Sequence, residues 1–271
     1  GMDIAESNRP SDGHMSFNYL QEPYDLRIST VPSVTGENMV IRLLSGSQEF
    51  LSLQDLGLTS DQIVKIGKMA ASLHGIVLVS GPTGSGKTTT LYAVLRTINA
   101  MQKNIITIED PVEYTMPLVQ QVQVNEKAGI TFASSIRSFL RQDPDVLVIG
   151  EIRDEETAGL SMRSALTGHL VLSTVHTNDA VGAVVRLRDL GVKDYIIAST
   201  IRGVVSQRLL RRLCPHCKKP SKRETPWFDL EPGESYEHVG CSMCRHTGYI
   251  GRTAIAEVLQ MDSFLTTMIG E

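Results

Sequence analysis

The chain has 271 residues, 41% of them hydrophobic, with a formal net charge of −4 and a pI near 6.0. Such a chain can bury a real core, one large α/β domain with smaller attachments, which excludes general disorder; the charge gives no global basic field, which argues against non-specific attraction to nucleic acid. Its apolar runs at 75–79, 146–149 and 170–172 are strand-length, far below the roughly 18 residues of a membrane span, no export signal stands at the start, and Gly1 ahead of Met2 reads as an expression scar, so a cytoplasmic protein is expected.

In chain order, residues 1–45 are expected to form a small β-containing element. Leu26, Ile28 and Thr30, then Met39, Ile41 and Leu43, alternate on either side of Thr35-Gly36-Glu37-Asn38, the pattern of strand, turn, strand. Residues 46–49 read as a polar linker and 50–271 as the main domain. There Thr59, with Gln62 three positions on, is a capping-box pattern, and Ile63, Ile66, Met69, Ala70 and Leu73 follow at helical spacing. Residues 76–79 read as a buried strand and 89–101 as a helix with Leu91, Val94, Leu95 and Ile98 inward. Further short strands at 105–108, 146–149 and 170–173 alternate with helical patterns at 134–141 and 154–166. That order implies a largely parallel sheet with ligands at the carboxyl ends of its strands.

Between the strand at 76–79 and the following helix lies Gly81-Pro82-Thr83-Gly84-Ser85-Gly86-Lys87-Thr88, followed by Thr89. In a G-x4-G-K-[ST] loop the glycines let the backbone curl with N–H groups inward, and the helix start behind it favours phosphate. Lys87 would reach the β and γ phosphates of ATP and Thr88 would place its hydroxyl on Mg²⁺, while Gly84 and Gly86 keep side chains away.

Phosphoryl transfer also needs one group to hold Mg²⁺ and another to orient the attacking water. The strand at 105–108 runs into Glu109-Asp110-Pro111-Val112-Glu113, and that at 146–149 into Gly150-Glu151, a Walker B form with Glu where Asp is usual. A single acid after a strand is more often a helix cap or a solvated loop residue; the phosphate loop reverses those odds, but leaves Glu109, Asp110 and Glu113 open for the water. His169 and His176 flank the strand at 170–173, too far apart to share a small ligand, and His176, at the carboxyl end, is the better candidate for sensing the γ phosphate. Arg27, Arg42, Arg137 and Arg141 are candidates to stabilise charge on a transferred phosphoryl group, against the commoner reading of solvated surface.

All four cysteines fall in Cys214-Pro215-His216-Cys217 and Cys241-Ser242-Met243-Cys244. Two C-x2-C knuckles complete a closed tetrahedral zinc site, and in a cytosolic chain that spacing points to metal before disulfide. His216 and His246 are then spare. Arg208, Arg211, Arg212, Lys218, Lys219, Lys222 and Arg223 make the region locally basic, either a solvated face or a contact for an acidic protein loop or anionic lipid.

The stretches 81–92, Thr-Ile-Glu-Asp-Pro-Val-Glu-Tyr at 107–114, Leu-Arg-Gln-Asp-Pro-Asp-Val at 140–146, Gly-Glu-Ile-Arg-Asp-Glu-Glu-Thr-Ala at 150–158, Thr-Gly-His-Leu-Val-Leu-Ser-Thr-Val-His-Thr-Asn at 167–178 and the cysteine pairs together resemble the ATPases of type II secretion and type IV pilus assembly. The resemblance implies a RecA-like P-loop ATPase core with a small N-terminal β-containing remnant and a tetracysteine zinc insertion at 212–250. It maps the catalytic glutamate onto Glu113, the Walker B glutamate onto Glu151, a His box onto His169 and His176, and two arginine pairs onto Arg27 with Arg42 and Arg137 with Arg141. It further implies ATP, Mg²⁺ and Zn²⁺, a homo-hexamer, and partners in the inner-membrane platform and cytoplasmic adaptor proteins, with the motor peripheral at that membrane and no specific nucleic acid. The tetracysteine element argues against the retraction branch. Residues 3–13 resemble the end of a helix and a turn in a larger N-terminal domain, so a piece of a longer protein is expected. Competing readings are a type IV pilus extension or DNA-uptake motor, a nucleic-acid translocase, and a nucleotide-gated scaffold without turnover.

Overall fold

The computed structural model describes residues 8–45, 51–221 and 235–270. It divides into two compact units, Gly1–Phe50 and Leu51–Glu271. The expected linker at 46–49, the helix end read at 3–7, and Lys222 and Arg223 lie outside the described residues.

The first unit is an antiparallel meander of β1 (Ser11–Tyr19), β2 (Glu22–Ser33) and β3 (Gly36–Ser45) in that order. The β2–β3 hairpin agrees with the alternation read from the sequence. Val34 and Thr35 form its loop, Ser33 pairs with Gly36, and Gly36 takes a φ of 133° that a side chain would disfavour. Asp12 and Gly13 are strand, not the end of a helix and a turn: β1 finds backbone partners along β2, and Phe17 stacks on Tyr24 with ring centroids 5.7 Å apart.

The second unit is built on a seven-stranded sheet. In chain order it contains α1 (Ser60–Ala70), β4 (Gly75–Ser80), α2 (Lys87–Leu95), β5 (Ile105–Glu109), β6 (Gln120–Gln123), α3 (Phe132–Phe139), β7 (Val146–Ile149), α4 (Glu155–Leu166), β8 (Leu170–Val175), α5 (Ala180–Asp189), α6 (Asp194–Thr200), β9 (Ile201–Leu213), β10 (Lys219–Pro220), β11 (Tyr236–Glu237), β12 (Tyr249–Gln260) and α7 (Ser263–Gly270). The order across the sheet is β12-β9-β4-β8-β7-β5-β6, parallel throughout except for β12 against β9.

The central strands are buried along their whole length and largely apolar because both faces are covered. Ile76, Leu78, Leu147, Ile149 and Val171 point into a core shared with α3, α4, α5 and α6. Val77, Val79, Val146, Val148 and Leu172 point into a second core with α1 and α2. Helix α1 begins as its sequence indicates, with Thr59 accepting from the Gln62 N–H and Gln62 returning to the Thr59 N–H.

Helix α2 ends at Leu95, not near 101. The Thr97 hydroxyl takes the Val94 carbonyl at 2.6 Å, the Thr97 and Ile98 N–H groups fall back to carbonyls three residues behind, and Asn99 Oδ1 accepts from the Met101 N–H at 3.1 Å. Local side-chain bonds thus replace the helical ladder. Among the described residues no helix is long and apolar enough to cross a membrane.

Candidate active site and cysteine cluster

Parallel strands bring their carboxyl ends to one edge, and along this edge β4, β8, β7 and β5 are consecutive neighbours. The phosphate loop leaves β4, His176 follows β8, Gly150-Glu151 follow β7, and Asp110 follows β5. Register fixes their heights: Ser80 is level with Val175 and Ile149 with Ser173, so Glu151, two residues on, stands level with the start of the loop.

In the loop Gly81, Gly84 and Gly86 take φ values of 143°, 75° and 85°. A Cβ on Gly81 would meet the Gln207 carbonyl at 2.4 Å, whereas one on Gly84 would meet nothing within 4 Å, so the loop opens on free space there. Gly86 is the left-handed N-cap of α2, whose first-turn N–H groups have no intrahelical acceptor and suit an anion. Lys87 Nζ donates to the Gly81 and Pro82 carbonyls at 2.9 and 3.1 Å, using two of its three N–H bonds. Burial pulls its pKa down from the usual lysine value, and the Glu151 carboxylate opposes that shift.

Glu151 is only 12% exposed, so its charge needs partners. Arg153 Nη2 pairs with one carboxylate oxygen and His176 Nε2 lies 3.3 Å from the other. The bond to Glu151 is also the main reason the Arg153 pKa is raised, with Asp110 adding to it. The carboxylate is held from behind: Gly150 N–H donates to the Ile108 carbonyl at 2.8 Å and Ile152 N–H to Thr174 at 2.9 Å, and the Thr174 hydroxyl bonds the Gly150 carbonyl at 2.7 Å. A Cβ at Gly150 would sit 3.2 Å from the Ile108 carbonyl, which explains the glycine before the acid.

Of the three acids left open after β5, Glu109 is consumed by the interior. It is buried at 3% exposure and accepts from the Tyr92 hydroxyl, from Thr107 Oγ1 at 2.6 Å and from Gln121 Nε2 at 3.1 Å. Burial, then the bond to Glu109, raises the Tyr92 pKa far above the ordinary phenol value, so it stays a donor. Gln121 also accepts from the Met116 N–H and donates to the Tyr114 carbonyl, Gln123 accepts from the Val112 N–H, and Tyr114 packs edge-on to Tyr92 at 4.5 Å. Burial pushes the Tyr114 phenol up to about 12. This network anchors the loop that presents exposed Asp110 and Glu113. Tyr92, Gln121, Arg153 and Gln207 were given no role from the sequence; Tyr92 and Arg153 lie within the stretches 81–92 and 150–158, while Gln121 and Gln207 carry no local signal.

In the second unit, His169, Arg137 and Arg141 stand away from this edge. His169, at the amino end of β8, bonds the Ser164 carbonyl through Nδ1 at 3.0 Å and is not brought to the edge that carries His176. On α3, Arg137 pairs with Glu156, and at its end Arg141 Nη1 donates to the Arg137 carbonyl at 2.8 Å. In the first unit Arg27 and Arg42 are direct cross-strand partners, which places both on one face of the meander.

At the far end of β9 the four cysteines form one cluster, with every pair of Sγ atoms within 4.8 Å. Cys214 to Cys241 is 3.9 Å, Cys217 to Cys244 3.8 Å and Cys241 to Cys244 3.7 Å. Four thiolates about 2.3 Å from a central zinc would stand about 3.8 Å apart, so the donor set fits that ion and the separations exclude disulfides. Burial raises the Cys244 pKa, but N–H donors from Cys241 and Gly248 at 3.1 and 3.2 Å outweigh it and bring the thiol down to about 6. Part of the basic character is used locally, Arg211 lying 4.0 Å over the Tyr249 ring and Lys218 4.5 Å over that of Tyr236.

The chain matches, over residues 1–271, the family described as Type II/IV secretion system protein. It is 47% identical to the Type II secretion system ATPase E of Vibrio cholerae serotype O1, over 99% of this chain and 54% of that protein. It is 45% identical to the Type IV pilus assembly ATPase PilB of Thermus thermophilus, over 97% of this chain and 30% of that protein. The chain therefore spans about half the length of the type II relatives it matches. The solved structure of the pilus retraction motor PilT with bound ADP shares the fold at a TM-score of 0.72 and 28% identity, covering 97% of this chain and 67% of that one.

Proposed function

The chain belongs to the type II/IV secretion system protein family, and on that premise we propose that it is the ATP-hydrolysing part of a cytoplasmic motor that powers pseudopilus or pilus assembly and protein secretion. One observation carries the reading: a single edge of a RecA-like sheet presents the phosphate loop, Glu151, His176 and the loop bearing Glu113. The relatives' names point to the same activity.

In this reading the residues 81–89 cradle the phosphates, Lys87 holds the β and γ groups, and Thr88 with Glu151 would hold Mg²⁺, which when bound neutralises phosphate charge. Arg153 and His176 hold the Glu151 carboxylate in its orientation. Glu113 orients the attacking water from its anchored loop; Glu109 is excluded from that role because its oxygens are already bonded in the interior. Arg27 and Arg42 stabilise charge on the transferred phosphoryl group. Arg137 and Arg141 form a secondary pair, and His169, just before β8, has a structural role in its bond to the Ser164 carbonyl. The four cysteines hold a structural zinc. The full-length protein is a homo-hexamer that meets platform and adaptor proteins at the inner membrane.

Steady-state ATP hydrolysis by the chain and its Glu113→Gln variant, across protein concentration and with nucleotide binding measured in both, tests this. Turnover that rises with concentration and is lost in the variant while binding persists is the expected result. Equal rates would take the water-orienting role from Glu113, and binding without turnover in both would favour a scaffold.

A further inference from the structure

The side chain that touches the phosphate loop from behind belongs to no motif. Gln207 lies in β9, is 2% exposed, and accepts from the Thr90 hydroxyl through Oε1 at 2.7 Å. Its Nε2 donates to the Ser85 carbonyl at 2.7 Å. The first bond ties it to the opening turn of α2, and the second to the loop itself. Two of the loop glycines are cut to the same residue: a Cβ on Gly81 would strike the Gln207 carbonyl, and one on Gly86 would stand 3.1 Å from Gln207 Nε2.

A loop that binds phosphate through its N–H groups needs those groups fixed before the ligand arrives, because every backbone freedom lost on binding weakens it. Glycines give the loop its shape and also its looseness. Its own side chains hold it at the entry, where Lys87 bonds the Gly81 and Pro82 carbonyls, but not at Ser85, whose buried hydroxyl has no hydrogen-bond partner. A buried amide that bonds the loop carbonyl at one end and the helix hydroxyl at the other is what fixes its height over β4.

We infer that Gln207 is a positioning residue for the phosphate loop, setting its geometry through Ser85 and Thr90 without touching the nucleotide. The inference rests on the nucleotide-binding reading above. It also gives β9 a function in the site: the strand beside β4 is the template on which the loop is cast. Gln207 belongs to the buried half of β9, so its clamp is independent of the cysteine end of the same strand.

The test is the dissociation constant of the fluorescent nucleotide mant-ADP with Mg²⁺, with thermal unfolding followed in parallel. Gln207→Leu removes both bonds, and Gln207→Glu keeps the shape but sets a carboxylate oxygen against the Ser85 carbonyl. Both are expected to weaken binding at least about tenfold, the scale of one or two positioning hydrogen bonds expressed in affinity. Thr90→Val should weaken binding several-fold, while Thr90→Ser, which keeps the hydroxyl, should bind within about twofold of the wild type. A purely structural role would lower the unfolding midpoint of Thr90→Val and leave the affinity of the folded protein unchanged, which would overturn the inference. So would Gln207 variants that bind within twofold of wild type. Should Gln207→Leu fail to fold, the Thr90 pair decides alone. Absence of binding by the wild type, equal to that of Lys87→Ala, would instead remove the nucleotide reading on which the inference stands.

Discussion

The two halves of β9 are ordered by different forces. From Ile201 to Gln207 the strand is buried but for half-exposed Arg202, between β4 and β12 and against both cores; from Arg208 to Leu213 it is exposed or half-exposed and leads into the four cysteines. The inner half owes its order to apolar burial, the dominant favourable term in folding. The outer half reaches a core only through half-buried Leu209, and beyond it the chain turns are stitched by N–H bonds to sulfur. One strand thus joins a region that folds on its own chemistry to one whose order a metal would complete.

Removing the metal ligands should separate the halves most sharply. Structural zinc is worth about 10–16 kcal/mol to small metallo-domains, so Cys244→Ser is expected to abolish zinc binding and strip hydrogen-exchange protection from the bonded N–H groups of Cys214, Lys218, Cys244 and Thr247, while β4, β8 and the inner half of β9 keep theirs. Leu172→Ala should do the reverse. Leu172 is 0% exposed in the middle of β8, and truncation is expected to destabilise the second unit by about 2–5 kcal/mol in denaturant unfolding, with the cysteine cluster still binding its metal in the folded protein. Tyr92→Phe leaves buried Glu109 short of a donor and should destabilise by about 1–3 kcal/mol, read in the same assay.

The smallest effect expected is electrostatic. Bonds from the Asn104 N–H, and then from Lys103, hold the Asp145 pKa below the usual aspartate value, tying the start of β5 to that of β7. A carboxylate with a depressed native pKa stabilises above its unfolded value of about 3.9 and loses that contribution as pH falls through the native value. The side chain is 41% exposed, and screening limits the advantage of wild type over Asp145→Asn to about 0.5 kcal/mol near pH 7. That advantage should fade on acidification through and below the unfolded value of about 3.9 in a pH series of unfolding curves.

The same contrast marks what could be read from the sequence. The phosphate loop, the Thr59–Gln62 capping box, the cysteine spacing and the short strands were legible because each rests on local chemistry: glycine torsions, a reciprocal cap, ligand spacing, or an apolar run buried on both faces. The ribbon of β9 and β12 was not, since its outer half, Arg208-Leu209-Leu210-Arg211-Arg212, reads as a basic stretch and gains its strand pairing only from a chain segment some forty residues on. That Glu109 is occupied in the interior could not be read from the residues alone, because the bonds that engage it come from α2 and β6. Helix α2 was read too long for a local reason, the side chains of Thr97 and Asn99 competing for the backbone. Gln207 has no local signature; its meaning lies wholly in what β9 is placed against.

The central claim is that the carboxyl edge beside β4 binds nucleotide on the self-sufficient side of this divide. Titration calorimetry of Mg·ADP into the chain, Lys87→Ala and Cys244→Ser tests it directly. Binding that persists in Cys244→Ser and is lost in Lys87→Ala is the expected result; undiminished binding in Lys87→Ala, or its loss in a Cys244→Ser protein whose core is still folded, would contradict it.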